Sequence, residues 1–166
     1  MKLFPKRIDL IVYDFDGVMT DNKVIVNQNG VESVVCSRAD GLGVGMIKKM
    51  GISQLIITTE TNPVVQCRAN KLKLQVIDAC IDKRSALIQY CTLHAIDLAN
   101  VIFVGNDVND LEAMKIVGFS ACPSDAHWTI LHMADRTLNS AGGMGVVREL
   151  ADDISEHFIW HENRGE

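Results

Sequence analysis

Several features are missing from this 166-residue chain, and each absence narrows the reading. No apolar run approaches the roughly 20 residues needed to span a bilayer, so no membrane helix is expected. Residues 1–7 carry basic side chains with no long apolar segment after them, so no signal peptide is expected. There is no excess of positive charge. The net charge is −5, and no basic stripe offers to neutralise phosphates, which excludes nucleic acid as a partner. The five cysteines Cys36, Cys67, Cys80, Cys91 and Cys122 are scattered and form no CxxC pair. That pattern fits free thiols in a reducing cytoplasm rather than a disulfide framework or a zinc site. No internal repeat, linker or low-complexity tract interrupts the chain. With 48% hydrophobic and 22% charged residues, the composition is that of one folded domain over residues 1–166.

What is present is an alternation of short apolar runs and longer amphipathic ones. Residues 8–13, 55–58 and 101–105 read as buried strands, joined by 75–78 and 119–122. Residues 41–50, 62–72, 83–94, 110–117 and 146–157 read as helices. Strand–helix alternation implies a parallel sheet covered on both faces. One segment departs from it. Asn29-Gly30 separates two β-branched runs, a hairpin signal spanning about 23–36. An isolated two-stranded hairpin is marginal in water, so docking against a neighbour is expected.

The chemistry gathers at strand ends. Asp14 and Asp16 follow the first strand, and Gly17 lets the backbone turn. Ligands of open α/β sheets sit outside the carboxyl ends of strands, and two acids there suit a divalent metal and an attacking oxygen. Thr58 ends the second strand, with Thr59 and Glu60 after it. Lys83 opens a helix, where the dipole disfavours a cation. Residues 105–110 place Asp107 and Asp110 after a third strand.

In order and context, Asp14, Asp16, Thr58, Lys83, Asp107 and Asp110 resemble the four motifs of the haloacid dehalogenase superfamily of phosphohydrolases. The resemblance covers nearly the whole chain. The hairpin in place of a cap domain, residues 14–21 (DFDGVMTD) and the tail 142–149 (GGMGVVRE) resemble one branch. That branch contains phosphatases of 3-deoxy-octulosonate 8-phosphate and of nonulosonate 9-phosphates, and phosphatase-like domains attached to sialic-acid cytidylyltransferases. The resemblance implies a three-layer α/β sandwich with a Rossmann-like parallel sheet, a small hairpin cap and a homotetramer. It implies Asp14 as nucleophile and Asp16 as general acid and base. Mg²⁺ would be held by Asp14, the Asp16 carbonyl and Asp107. Asp110 would support that shell or orient Lys83, and Thr58, Thr59 and Lys83 would hold the phosphoryl group.

Two departures bear on substrate. Octulosonate enzymes usually carry Gly and Arg where this chain has Thr59 and Glu60. Glu60 with Arg68, and then Lys71, looks like the nonulosonate branch, so a sialic-acid-type 9-phosphate is expected, with octulosonate 8-phosphate as the alternative. Asn106 stands where the phosphatases commonly carry a second Asp. The pattern Gly-Asn-Asp looks more like the cytidylyltransferase-attached domains, which keeps open a non-catalytic partner subunit of such an enzyme. Asp40 either caps the following helix or faces the substrate. The tail 141–166 begins as a flexible glycine run, and Arg148 is a substrate-contact candidate. His94, His127, His132, His157 and His161 show no ligand spacing, and Trp128 and Trp160 read as packing or interface residues.

Overall fold

Four consecutive residues, Leu10–Tyr13, are fully buried and form strand β1, the centre of the molecule. A strand apolar on both faces must be covered on both, which is the condition of a parallel sheet. The computed structural model describes residues 2–162, with side chains through residue 158. The hairpin strands β2 (Ile25–Val26) and β3 (Glu32–Ser33) come next in the chain, then α1 (Arg38–Lys49). β4 (Ser53–Ile57), α2 (Val64–Leu72), β5 (Gln75–Ile77) and α3 (Lys83–Leu93) follow. A 3₁₀ turn, Leu98–Asn100, leads into β6 (Val101–Val104). The chain ends with α4 (Leu111–Met114), β7 (Phe119–Cys122), α5 (Trp128–Met133), β8 (Arg136–Thr137) and α6 (Val146–Glu162).

The large sheet is parallel throughout, in the order β5-β4-β1-β6-β7-β8. Leu10 pairs with Ser53 on one side and with Val101 on the other. Alternate side chains go to opposite faces. Ile11, Tyr13, Ile56 and Val104 pack with α1, α2 and α6, whereas Leu10, Val12, Leu55 and Phe103 pack with α3, α4 and α5. The three-layer α/β sandwich read from the sequence is therefore the fold. The chain crosses from β1 to β4 and later returns to β6 on the other side of β1. The strand order reverses there, and the crevice at that switch point is where α/β sheets bind ligands.

The boundaries shift by a few residues from the sequence reading. Helix α1 starts at Arg38 because Ser37 accepts the Ala39 N–H as its cap. Helix α2 starts after Pro63, as a missing N–H favours. The pattern did not disclose α5 or β8, which are short and end in loops.

Two expectations about the tail change. Asp40 does not cap its own helix. It is 1% exposed, and its Oδ1 accepts the N–H groups of Val147 (2.9 Å) and Arg148 (3.2 Å), so it caps the start of α6. The glycine run is packed, not loose. A Cβ on Gly142 would lie 2.3 Å from the Gly17 carbonyl oxygen, and the Gly143 N–H donates to the Val18 carbonyl. Only glycine allows the tail to lie this close to the loop after Asp16. Glu149 fastens the approach by accepting from the Asn139 and Ser140 N–H groups, bonds that hold its carboxyl below the ordinary glutamate range against the opposing effect of burial.

The hairpin turns at Asn27–Gly30, and an isolated bridge between Thr20 and Cys36 ties its base to the body. Val24, Ile25, Val26, Val31 and Val35 are each more than half exposed. Trp128, at the start of α5, is 67% exposed and is therefore not a core residue. The side chains of Trp160 and His161 lie outside the described residues.

Removing the long-range cap should cost stability. Asp40→Ala is expected to lose about 1–2 kcal/mol, a fall of roughly 3–6 °C in Tm for a chain of this size. Asp40→Asn, which keeps an acceptor and drops a buried charge, should lose less. Thermal unfolding followed by circular dichroism checks both.

Candidate active site

Asp14 is the first residue past β1. Its backbone N–H donates to the Val104 carbonyl, which fixes it between β1 and β6. Its Oδ1 accepts the Phe15 N–H and meets Lys83 Nζ, each at 2.7 Å. Lys83 Nζ also lies 2.7 Å from Asp110 Oδ1. The Lys83 side chain is 0% exposed and Asp110 equally so. Asp110 has a second task, because its Oδ2 accepts the N–H groups of Asn106 (2.9 Å) and Asp107 (3.2 Å). It both orients the lysine and shapes the loop after β6.

The charges do not balance. Burial pushes the Lys83 ammonium down, but Asp14 and Asp110 outweigh it and hold its pKa above the ordinary lysine value. Two carboxylates compete for that one cation. Burial, reinforced by the charge of Asp110, raises the Asp14 carboxyl to about 7 in spite of Lys83. Asp16 is also raised, first by burial, with the Thr20 hydroxyl bond at 3.1 Å opposing and Glu60 adding to the rise. A carboxyl that holds its proton more readily than usual suits a general acid.

Asp14, Asp16, Thr58, Thr59 and Asp107 line one cavity of about 300 Å³ at the switch point. Thr58 is buried, and its Oγ1 accepts the Glu60 N–H at 3.1 Å. Lys83 is not on the cavity wall. It lies behind Asp14 and acts on the cavity through its charge. Asn22, Asn106 and Asn109 line the cavity as well, and the sequence reading gave none of them a task.

A second cavity, of about 250 Å³, shares Asp16 and Asn22 with the first and is lined by Glu60, Glu32 and Lys23. Glu32 comes from β3 of the hairpin, and its Oε2 accepts from Asn62 Nδ2 at 3.0 Å. No local pattern marks it, since only the fold brings the hairpin over this edge. Glu60 is held by the Thr61 and Asn62 N–H groups. Arg68 lines a different cavity, beside the hairpin, and its Nη2 donates to the Ser37 carbonyl at 2.7 Å. Glu60 and Arg68 thus do not share a cavity wall, though Glu32, Val34 and Val64 border both cavities. Lys71 is exposed on α2. Arg148 pairs with Asp152 at 2.9 Å on α6 and lines neither cavity. Asp40 is buried at the α6 cap and lines neither.

The donor set fits a hard cation. Among the described residues no three His, Cys, Asp or Glu side chains gather around one point. The expected ligands need only two side chains, the carboxylates of Asp14 and Asp107, plus the Asp16 carbonyl. All are oxygens, as Mg²⁺ prefers. The excess of negative charge around Asp14 is what a cation would offset.

Lys83 should not be removable alone. Lys83→Met is expected to cost about 3–5 kcal/mol, because it strands two buried carboxylates. Adding Asp110→Asn should recover part of that loss without restoring activity. Urea unfolding of the single and double variants measures the difference.

Comparison with known proteins agrees with this geometry. The family of haloacid dehalogenase-like hydrolases matches residues 50–150. The 3-deoxy-D-manno-octulosonate 8-phosphate phosphatase of Salmonella typhi is 32% identical over 150 residues, which are 89% of this chain and 79% of that protein. The N-acylneuraminate cytidylyltransferase of Oncorhynchus mykiss is 26% identical over 154 residues. That match takes in 90% of this chain but only 36% of the larger protein, so the chain spans about a third of that relative's length. Among solved structures, a 3-deoxy-D-manno-octulosonate 8-phosphate phosphatase from Moraxella catarrhalis, in complex with magnesium, phosphate and KDO, superposes with a TM-score of 0.89. It is 30% identical, and the match covers 92% of this chain and 88% of that one. With two aspartates at the switch point, a buried lysine behind them and these relatives, the chain belongs to the haloacid dehalogenase-like hydrolases.

Proposed function

We propose that this hydrolase removes phosphate from a sugar-acid phosphate monoester with the help of Mg²⁺, and that its substrate is a nine-carbon nonulosonate 9-phosphate. The observation that carries the phosphatase reading is the Asp14–Lys83–Asp110 array beneath a cavity lined by Asp16 and Thr58.

Asp14 is the nucleophile. Its Oδ1 is held by Lys83 and the Phe15 N–H, so Oδ2 is the oxygen assigned to attack at phosphorus. As the phosphorus–oxygen bond to the sugar breaks, Asp16 gives its proton to the leaving alkoxide. Asp16 then takes a proton from water, which hydrolyses the aspartyl phosphate and frees Asp14. Thr58 and Thr59 hold phosphoryl oxygens at the cavity wall, and Lys83 offsets the growing negative charge from behind. Bound at Asp14, the Asp16 carbonyl and Asp107, Mg²⁺ would supply charge neutralisation between an anionic nucleophile and an anionic phosphate.

Glu60 supports the nine-carbon choice. It faces the cavity that adjoins Asp16, where the leaving sugar would lie, and Glu32 joins it there. Carboxylates accept hydrogen bonds from hydroxyls and repel a carboxylate, so this wall suits the polyol arm next to the phosphate. Arg68, which lines the cavity beside the hairpin, is the cation assigned to the acid end. The five free thiols support a reducing, cytoplasmic setting. The exposed β-branched hairpin supports a homotetramer in which another copy covers it.

A second reading rests on the likeness to an N-acylneuraminate cytidylyltransferase over 90% of this chain. In it, the chain is a non-catalytic partner of such an enzyme.

Phosphate release with Mg²⁺ should be faster from a nonulosonate 9-phosphate than from octulosonate 8-phosphate, and Asp14→Asn should bring both to background. Glu60→Ala should reduce the preference about tenfold, as for loss of one hydrogen bond to a charged group. Faster release from the eight-carbon substrate would replace the nine-carbon assignment. Release from neither, with binding to a cytidylyltransferase, would favour the second reading. Light scattering on the eluting protein should give the mass of four chains, and Ile25→Lys should shift it downward.

A further inference from the structure

Two residues line both cavities of the site, Asp16 and Asn22. Thr58 and Asp107 belong to the first cavity, Glu32 and Glu60 to the second. Asn22 therefore stands at the junction between them. Its backbone is fixed there. Asn22 takes a left-handed φ of 60°, and its N–H donates to Thr20 Oγ1 at 3.2 Å. The same hydroxyl donates to Asp16 Oδ1 at 3.1 Å, so one buried threonine holds both junction residues.

The turn does not need the asparagine side chain. Glycine takes a left-handed conformation without strain, and asparagine tolerates it. No hydrogen bond among the described residues engages the Asn22 side-chain amide. The residue is exposed, so the amide is open to a ligand. Around it the second cavity offers mostly acceptors. Glu32 and Glu60 are carboxylates, and the proton of Asp16 is assigned above to the leaving oxygen. An amide both donates and accepts. It is also neutral, so it adds no repulsion towards a phosphate.

We propose that the Asn22 amide binds the hydroxyl on the carbon next to the phosphate-bearing one, which makes the enzyme selective for phosphate esters of vicinal diols. The proposal rests on the phosphatase reading above and names the substrate feature read at the junction. With the ester bond at Asp16, the phosphoryl group occupies the Thr58 side and the sugar occupies the Glu60 side. The first hydroxyl of the polyol arm then falls beside the breaking bond, where Asn22 stands. A hydrogen bond at that point orients the leaving oxygen towards Asp16. Octulosonate 8-phosphate and nonulosonate 9-phosphates both carry such a hydroxyl, so this contact does not choose between them.

The test is a cycle of two proteins and two substrates. Wild type and Asn22→Gly are assayed for phosphate release with Mg²⁺ from a nonulosonate 9-phosphate and from its 8-deoxy analogue. Octulosonate 8-phosphate and its 7-deoxy analogue form a parallel pair. Removing either the hydroxyl or the amide should lower kcat/KM about fivefold, as for one neutral hydrogen bond. Removing both should cost little more than removing one, a coupling of about fivefold. A structural role for Asn22 would act through Thr20 and Asp16 and lower release from parent and deoxy ester by the same factor. Such additive losses in both pairs would overturn the proposal, and so would no loss on Asn22→Gly. If Asn22→Gly does not fold, Asn22→Asp decides by the same comparison, because it keeps the backbone preference and loses the donor. Wild type that releases phosphate from neither parent ester would remove the substrate reading itself, and this inference with it.

Discussion

One buried ammonium stands between two buried carboxylates, and the rest of the site is arranged around that shortage of positive charge. Lys83 Nζ touches Asp14 and Asp110 at 2.7 Å each, with no solvent to share the load. Burial, reinforced by the charge of Asp110, raises the Asp14 carboxyl to about 7 although Lys83 opposes the rise. The same arrangement keeps Asp14 Oδ1 occupied by Lys83 and the Phe15 N–H. A divalent cation held beside Asp14 would complete a charge balance that the polypeptide leaves open.

The sheet supplies the rigidity this balance needs. β1 is paired on both sides by parallel strands, and its tip cannot shift without disturbing β4 and β6. The loop after it is braced from three directions. The Gly142–Gly143 backbone presses on Gly17 and Thr20, Asn106 packs on Gly17, and the Thr20 hydroxyl reaches Asp16. Asp40 and Glu149 in turn anchor the tail that makes the first of these contacts. Residues far from the cavity thereby set the position of Asp16, the group proposed to give and take a proton.

The hairpin side of the site is built differently. It consists of a thin hairpin, the loop after β4 and the start of α2, held together by Glu32, Asn62 and Glu60. Its outer surface is apolar and uncovered in a single chain. In the proposed reading, phosphate meets the sheet edge and the sugar meets the hairpin and its neighbouring loops.

Much of this was legible in the sequence. Apolar runs of strand length marked five of the six strands of the large sheet, and Asp14, Asp16, Thr58, Lys83, Asp107 and Asp110 stood out because each follows a strand or opens a helix. Such signals are local, since strand burial and turn chemistry are written in neighbouring residues. The short elements α5 and β8 carried too little pattern to be seen. Asp40 looked like a local cap, but its partners lie 107 and 108 residues away. Glu32 had no signature at all until the hairpin folded over the sheet edge beside Asn62. Asn106 read as a departure from a motif, and only the fold showed its amide packed against Gly17. The sequence determined the strand order of chemistry along the chain, because adjacent residues encode it. The tertiary structure decided which of those groups share a charge, a cavity or a hydrogen bond, because those pairings depend on chain segments that meet only when the core closes.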